Sequence, residues 1–448
     1  MVRVRLLVVL LGVAFLAASG SAQGVGQRFV DSHPCEQAPG FTCSSLWVPI
    51  DYRGDAPGRM SLQVAVQTGE APRGVLLFLT GGPGQPGAPF GPRVLDRLGP
   101  AAVGYRVVLI DQRGTGAAAL QCPALQAQMG STDLAPPTKA AVAACARAIG
   151  PKRRFFGTTE TVHDLEVLRK VLGVDKLTID GVSYGSYVAE RYAVRYPAHV
   201  ARLVLDSVVP HAALDPLSVA NAHAVARVLR SVCRETQCPS DPANDVAAAV
   251  RRWNVGTQLL NALVTMSVVD PTYGGVVEAL DAARNGNRGP LDALLRQWGP
   301  DSGTPAEALS QGLHASALCA DTRMPWGDNT TPLAKREPAL RRAVAKVPAA
   351  AVWPFDRSTA AGNGIVRTCL YWPPTPGPLK PLPRDLPPVP ALLLAGERDL
   401  STPLAWAQQE LARAPRGRLV VVPGAGHSVQ TRAVSDAGRI AVRDFLQG

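Results

Sequence analysis

The chain has 448 residues, 46% of them hydrophobic, 18% charged and 5% aromatic, with a net charge of +11 at pH 7. Its basic residues are scattered, and the longest cluster is Lys152-Arg153-Arg154. A nucleic-acid-binding surface gathers basic and stacking aromatic residues into one stripe, so this composition argues against nucleic acid as a partner. The length favours one large catalytic or binding domain that carries a sizeable insertion.

The N-terminus has the pattern of a secretory signal peptide. Arg3 and Arg5 precede an apolar run over residues 6–18, and small residues follow as far as Ala22. The apolar run has about 13 residues, whereas a membrane-spanning helix needs roughly 20. We therefore predict that residues 1–22 are cleaved and that the mature protein is secreted without a stable membrane anchor.

Residues 23–209 alternate strand and helix patterns. Segment 61–67 alternates polar and apolar residues, as a half-exposed strand does. A helix is predicted over residues 160–172, with Thr158 or Thr159 as its cap and Gly173 at its end. Nearly continuous apolar runs, typical of parallel strands that are covered on both faces, occupy residues 74–80, 105–110, 176–180 and 202–206.

This alternation stops after residue 209. Residues 210–375 are rich in alanine and have mostly helical patterns, and a proline-rich link follows. Strand patterns return within residues 376–448, at 391–395 and 418–423, before a final helix over about 433–446. The sequence therefore predicts an α/β fold with a mostly parallel sheet, helices on both faces and a helical cap inserted into it.

The segment Gly181-Val-Ser183-Tyr-Gly185 matches the G-x-S-x-G pattern and lies between a predicted strand and a predicted helix. In that context the glycines permit a turn so tight that the serine hydroxyl stands clear of the backbone. The helix that follows directs its positive end toward the hydroxyl. We therefore predict that Ser183 is a nucleophile.

A serine hydroxyl needs a base, and serine hydrolases with this turn place the partners in the order serine, acid, histidine. His427 lies in a loop of small residues after one late strand, and Asp399 lies in the loop after the strand before it. Glu397 and Asp206 compete for the role of the acid, but Asp399 fits the expected position best. We predict that His427 is the general base and that Asp399 orients it.

A glycine-rich loop, Thr80-Gly81-Gly82-Pro83-Gly84, follows the second of the predicted strands. Pro83 has no N–H, so Gly81 or Gly82 must donate to an oxyanion, and we choose Gly82. The Tyr184 N–H is the second predicted donor. The loop has no lysine of the kind found in phosphate-binding loops, which argues against phosphate as its ligand.

Eight cysteines in an exported chain suggest disulfide bonds. Their spacing contains no C-x-x-C pair, so no metal site is expected. Eight cysteines allow about 105 pairings, and the sequence cannot select one. Our hypothesis joins neighbours in the chain, namely Cys35 with Cys43, Cys122 with Cys145, Cys233 with Cys238, and Cys319 with Cys369.

Together these motifs, with Asp111-Gln-Arg-Gly-Thr-Gly116, resemble the proline iminopeptidase and tripeptidyl aminopeptidase branch of the α/β-hydrolases. The secreted tripeptidyl aminopeptidase-like proteins of actinobacteria are the most similar, over nearly the whole mature chain. Thr80 stands where proline iminopeptidases usually have histidine, and Ala117-Ala118 stands where a serine is common. We expect the loop 111–116 to support the site through an internal Asp–Arg contact.

The resemblance implies an α/β-hydrolase fold and an exopeptidase that acts near the free amino end of a short peptide. No cofactor is implied, because the three side chains supply nucleophile, base and charge stabilisation. A carboxylate that binds the substrate ammonium is expected, and the sequence leaves Glu235, Glu278, Asp281 and Asp321 open. A carboxylesterase that uses the same residues on a small ester is the alternative, and a non-catalytic binding protein with this fold is a third hypothesis.

Overall fold

The structure is a computed structural model that describes residues 28–212, 214–375, 379, 381–432 and 435–448. The predicted signal peptide, residues 1–22, lies outside the described residues. Among the helices in the described part of the chain, none combines the length and the apolar character needed to cross a membrane.

The described residues form one nine-stranded sheet with the spatial order β1-β2-β3-β5-β4-β6-β7-β8-β9. The pairs from β5 through β9 are parallel, whereas β1, β2 and β3 are antiparallel to their neighbours. The strands are β1 (Val30–Pro34), β2 (Phe41–Pro49), β3 (Arg59–Gln67), β4 (Val75–Leu79), β5 (Arg106–Ile110), β6 (Leu177–Val182), β7 (Val200–Asp206), β8 (Ala391–Gly396) and β9 (Gly417–Val422).

The burial of each strand explains which strands could be predicted. Every residue of β4, β6 and β8 is buried, because helices cover both faces of the parallel part of the sheet. β1 and β2 are not predicted by the sequence patterns. β1 is largely exposed and β2 mixes buried with half-buried positions, so neither has a continuous apolar run.

The described helices are α1 (Gly91–Leu98), α2 (Pro123–Met129), α3 (Lys139–Ile149), α4 (Thr158–Val171), α5 (Tyr184–Arg195), α6 (Val219–Thr236), α7 (Pro242–Trp253), α8 (Gly256–Val269), α9 (Val276–Arg284), α10 (Gly289–Gln297), α11 (Gln311–Asp321), α12 (Leu333–Lys346), α13 (Ala349–Val352), α14 (Arg357–Gly362), α15 (Gly364–Tyr371), α16 (Leu404–Leu411), α17 (Val429–Arg432) and α18 (Ala437–Gln447). Short 3-10 turns occupy Ala88–Phe90, Gly99–Ala102, Gly116–Ala118, Gly150–Phe155 and Pro197–His199. Residues 433–434, where the last helix was predicted to begin, lie outside the described residues.

Two apolar cores lie on opposite faces of the sheet. On one face α4, α5 and α16 contribute Leu165, Val188 and Ala407. On the other face α1 and α18 contribute Val94 and Val442. The predicted arrangement of helices on both faces of a mostly parallel sheet is therefore confirmed.

The helices α6 to α15 lie between β7 and β8 in the chain, and we call them the helical region. Leu229, Leu259 and Leu263 belong to a third apolar core, which α6, α8 and α9 largely form. A fourth core joins α2 and α3 to α11 and α15 around buried cysteines. The helical region therefore supplies most of the third core and shares the fourth with α2 and α3.

The start of α4 differs from the expectation. The helix begins at Thr158 and has Gly157 as its N-cap, so neither Thr158 nor Thr159 caps it with its own side chain. Asp321, at the end of α11, accepts the Thr158 N–H at 2.9 Å and the Thr158 hydroxyl at 2.6 Å. A carboxylate at this end of a helix satisfies a free N–H and complements the helix dipole, so a residue 163 positions away replaces a local cap.

The eight cysteines of the described chain form four disulfides: Cys35–Cys43, Cys122–Cys145, Cys233–Cys238 and Cys319–Cys369. This is the predicted pairing of cysteines that are neighbours in the chain. Cys35–Cys43 fastens β1 to the beginning of β2. Cys319–Cys369 joins α11 to α15 within the fourth core.

Candidate active site

Ser183 lies at the sharp turn between β6 and α5. Its backbone has φ 56° and ψ −124°, a strained combination for a residue with a side chain, and its N–H donates to the Asp206 carbonyl at 2.9 Å. A Cβ added at Gly181 would overlap the Gly185 carbonyl, and one added at Gly185 would overlap the Leu79 carbonyl. Both glycines of the pattern are therefore required for the close backbone packing of this turn.

The glycine-rich loop after β4 lies against Ser183. A Cβ added at Gly81 would lie 3.0 Å from Ser183 Cβ and 3.5 Å from its Oγ. Gly82 has φ +108°, and a Cβ there would lie 2.6 Å from the Gly84 nitrogen. Tyr184 is the first residue of α5. Its backbone N–H therefore has no hydrogen-bond acceptor within the helix. The two predicted amide donors thus belong to segments that meet at the serine.

Asp399 and His427 are in direct contact. His427 Nδ1 lies 2.9 Å from Asp399 Oδ2, and the Asp399 side chain is fully buried. Its Oδ1 accepts the N–H groups of Ser401 and Thr402, and the Thr402 hydroxyl donates to Oδ2 at 2.6 Å. Burial raises the pKa of Asp399, but the neighbouring His427 and these hydrogen bonds outweigh it and hold that pKa below its ordinary value.

The two competing acids have other partners. Glu397 accepts the Gly424 N–H at 3.1 Å. Asp206 pairs with Arg97 at 2.8 Å and also accepts the N–H groups of Val429 and Gln430. Asp206 therefore holds the short helix that follows His427 and is not itself bonded to the imidazole. The Arg97 contact was not predicted, because nothing in the sequence connects two residues 109 positions apart.

The last residue of β7 and the residue after it bind Ser183 and the residue that follows His427. The Ser183 N–H bonds to the Asp206 carbonyl, and the Ser428 N–H bonds to Ser207 Oγ at 2.7 Å. Within the described residues, the Ser183 hydroxyl makes no direct hydrogen bond to the imidazole. Hydrogen bonds between catalytic groups are often long in the absence of substrate and tighten when the substrate binds.

The loop 111–116 has a different internal contact from the expected one. Arg113 forms a two-pronged ion pair with Asp164 of α4, at 2.7 Å from Nε and 2.6 Å from Nη2. Asp111 instead accepts the N–H groups of Gly87 and Ala88, each at 2.8 Å. The expected contact within the loop is therefore wrong: Arg113 is fully buried and needs a full carboxylate partner, and the Asp111 oxygens are directed to backbone amides.

Among the described residues, Glu190, His211 and Glu410 are the group that could hold a metal ion, because their ligand atoms lie within 4.8 Å of one another. His211 Nδ1 lies 2.5 Å from Glu410 Oε1, and Nε2 lies 3.1 Å from the Pro383 carbonyl. Two ligands bound to one tetrahedral ion at about 2.1 Å would stand about 3.4 Å apart. The separation of 2.5 Å is that of a hydrogen bond, so His211 and Glu410 are better described as a hydrogen-bonded pair.

The comparison with known protein families matches residues 74–432 to the alpha/beta hydrolase fold. The chain belongs to this family, and both the fold class and the predicted resemblance are confirmed. Tripeptidyl aminopeptidase of Streptomyces lividans is 26% identical over 459 residues, which cover 90% of this chain and 81% of that protein.

Two further relatives match shorter stretches. Serine protease Hip1 of Mycobacterium tuberculosis is 32% identical over 209 residues, which cover 42% of this chain and 39% of that protein. A probable proline iminopeptidase of Streptomyces coelicolor is 36% identical over 132 residues, which cover 30% of this chain and 32% of that protein. Among solved structures, the proline iminopeptidase of Mycobacterium smegmatis is 17% identical, with a TM-score of 0.41 and coverage of 90% of this chain and 98% of that one.

Proposed function

We propose that this protein is a secreted serine exopeptidase that releases residues or short peptides from the amino ends of peptides. The contact between Asp399 and His427, which lie 28 residues apart on two loops of the sheet edge that also carries Ser183, is the observation that supports this most directly. The kinship with tripeptidyl aminopeptidases, which extends over nearly the whole chain, supports the peptidase class.

In the proposed reaction, Ser183 Oγ attacks the substrate carbonyl carbon while His427 Nε2 accepts the hydroxyl proton. Asp399 keeps the proton of Nδ1 in place and stabilises the imidazolium that forms. The amides of Gly82 and Tyr184 stabilise the oxyanion, and each such donor is typically worth about 10²–10³ in rate. His427 then gives its proton to the leaving amine, and water releases the acyl group from Ser183 by the same steps in reverse.

The structure favours Asp321 among the four acids that could bind the substrate ammonium. Glu278 is exposed, and Glu235 is paired with Arg398. The Asp281 carboxylate on α9 is half-buried and, among the described residues, accepts only a long hydrogen bond from Asn285, at 3.3 Å. Asp321, by contrast, bonds to Thr158, whose hydroxyl lies 2.5 Å from the hydroxyl of Tyr184, the residue after the proposed nucleophile.

Glu160 adds a second carboxylate beside Asp321. A Cβ added at Gly157 would lie 3.4 Å from Glu160 Oε2 and 3.7 Å from Asp321 Oδ1, so both carboxylates flank one point. Burial, opposed in part by Arg113 and reinforced by Asp321, raises the pKa of Glu160 to about 7. A bound ammonium would stabilise the ionised form of such a carboxylate, as a peptide's amino end requires.

The remaining parts of the proposal concern organisation and location. Residues 23–209 and 376–448 form the hydrolase core, and residues 210–375 form a cap over the site. Removal of residues 1–22 as a signal peptide is consistent with the four disulfides, because such bonds persist in oxidising compartments.

The test is a substrate panel on the purified mature protein. Aminoacyl and tripeptidyl p-nitroanilides are compared with p-nitrophenyl esters, and Ser183→Ala is the control. We expect turnover of the amides, and we expect Ser183→Ala to lower kcat by about 10⁶, the scale seen for triad nucleophiles. Turnover of esters alone would indicate the alternative, a carboxylesterase. Wild-type rates in the Ser183→Ala protein would contradict the assignment of the nucleophile, and no turnover at all would favour a binding protein.

A further inference from the structure

The loop that carries Asp399 accepts three hydrogen bonds from side chains of α6 and of the segment between α8 and α9. Three of its main-chain carbonyls each accept a hydrogen bond from a different side chain. Two of them belong to the two residues before Asp399, and the third belongs to the residue directly after it. The bonds are Arg227 Nη1 to Glu397 O at 2.7 Å, Tyr273 Oη to Arg398 O at 2.8 Å, and Asn221 Nδ2 to Leu400 O at 2.7 Å.

The loop that carries His427 is bonded to the same region. The His427 N–H donates to the Ser267 carbonyl at 2.8 Å, near the C-terminal end of α8. A Cβ added at Gly426 would overlap that carbonyl and lie 2.7 Å from Pro271 Cβ. Only a glycine lets the histidine loop approach α8 so closely. The segment from Ser267 to Tyr273 therefore contacts both loops.

Tyr273 occupies the centre of this arrangement. It is buried, with 1% of its surface exposed, and its backbone has φ 57°. Burial, together with the nearby charge of Asp399, raises the pKa of Tyr273 well above its ordinary value. Its hydroxyl therefore keeps its proton at every working pH and remains a donor to the Arg398 carbonyl.

We infer that Tyr273 and Asn221 are positioning residues that hold the Asp399 carboxylate against His427, and that this part of the helical region is a fixed scaffold of the site. The inference rests on the proposed function, because it assigns a role to residues that act through the Asp399–His427 pair. Removing either donor leaves a buried carbonyl without a partner beside Asp399. A displacement of about 1 Å at a catalytic group can lower the rate by about 10²-fold.

The experiment compares Tyr273→Phe with a matched control, Tyr105→Phe. Tyr105 is also buried, and its hydroxyl donates to the Leu446 carbonyl at 3.2 Å, in contact with the C-terminal helix. With p-nitrophenyl acetate as substrate, we expect Tyr273→Phe to lower kcat about tenfold, equivalent to about 1.4 kcal/mol, with KM changed less than about twofold. Tyr105→Phe should keep the wild-type kcat.

Two further readouts separate positioning from a general structural role. The acid limb of the kcat/KM pH profile should move to lower pH in Tyr273→Phe, because a loosely held Asp399 stabilises the protonated imidazole less. In the Asp399→Asn background, Tyr273→Phe should change kcat less than about twofold, since the residue acts through Asp399. An equal loss in both backgrounds with an unmoved pH profile would overturn the inference.

The low-field NMR signal of the proton between His427 Nδ1 and Asp399 Oδ2 gives a test that needs no turnover. We expect this signal to shift or broaden in Tyr273→Phe and to stay unchanged in Tyr105→Phe. If turnover does not depend on Ser183, the proposed function is contradicted. If the NMR signal is unchanged in Tyr273→Phe, the positioning role is contradicted. If Tyr273→Phe does not fold, Asn221→Ala is measured in the same way.

Discussion

The Thr402 hydroxyl and the His427 ring nitrogen share one oxygen of Asp399, at 2.6 Å and 2.9 Å respectively. The other oxygen accepts two backbone N–H groups from the same loop. The carboxylate is therefore fixed in direction by four donors and cannot rotate away from the imidazole without breaking several hydrogen bonds at once.

Asp399→Asn is expected to lower kcat about 10³- to 10⁴-fold while the protein stays folded, because an amide presents the wrong hydrogen-bonding group to Nδ1 and disfavours the productive tautomer. The measurement is kcat on the best substrate of the panel. Glu397→Gln is the matched control: within the described part of the chain its side chain accepts only the Gly424 N–H, and an amide oxygen can still do so. A large loss in Glu397→Gln with little in Asp399→Asn would reassign the acid.

The proposed ammonium site gives a second prediction. Asp321→Asn should raise KM for tripeptidyl amides about tenfold and leave ester turnover nearly unchanged, because an ester substrate has no ammonium to bind. The asparagine oxygen can still accept the Thr158 N–H, so α4 keeps its cap. Asp281→Asn serves as the control on α9. Equal losses on amides and esters would show that Asp321 acts on the fold alone.

The parts of the site that could be predicted lie in short contiguous stretches. The turn around Ser183 is visible in the sequence because its two glycines and its flanking strand and helix are all within a few residues. The loops of Asp399 and His427 could be found because each follows a strongly apolar strand.

The parts that could not be predicted depend on contacts between distant segments. Arg113 pairs with Asp164, 51 residues away, and the Thr158 amide is capped by Asp321. No local pattern encodes such partners, since an exposed and a buried carboxylate look the same in a sequence. The bond from Tyr273 to the Arg398 carbonyl belongs to the same class, because any tyrosine in an alanine-rich helical segment could as well pack only by its ring.

The disulfides offer a prediction on stability. In the chain-entropy view, a crosslink stabilises the fold more when it closes a longer loop. Cys319–Cys369 spans 50 residues and Cys233–Cys238 spans 5. Replacing both cysteines by serine should therefore cost about 4 kcal/mol for the first pair and about 2 kcal/mol for the second, measured by urea unfolding. Equal costs for the two pairs would contradict this ranking.

The buried carboxyl of Glu190 gives a prediction on pH. Burial, reinforced by the charge of Glu410 and opposed in part by the His211 backbone N–H, raises the pKa of Glu190 well above its ordinary value. A raised pKa in the folded state contributes stability that is fully present below the unfolded value, about 4.3. That contribution is lost as the pH rises through the folded-state pKa.

Glu190→Gln supplies a neutral side chain of nearly the same shape at every pH. The variant and the wild type should therefore have similar free energies of unfolding near pH 5, and the variant should become the more stable of the two toward pH 9. Each unit by which the folded and unfolded pKa values differ is worth about 1.4 kcal/mol. Urea unfolding at both pH values, with the exposed Glu70→Gln as control, checks this. A gap between variant and wild type that is the same at pH 5 and pH 9 would contradict the raised pKa of Glu190 in the folded protein.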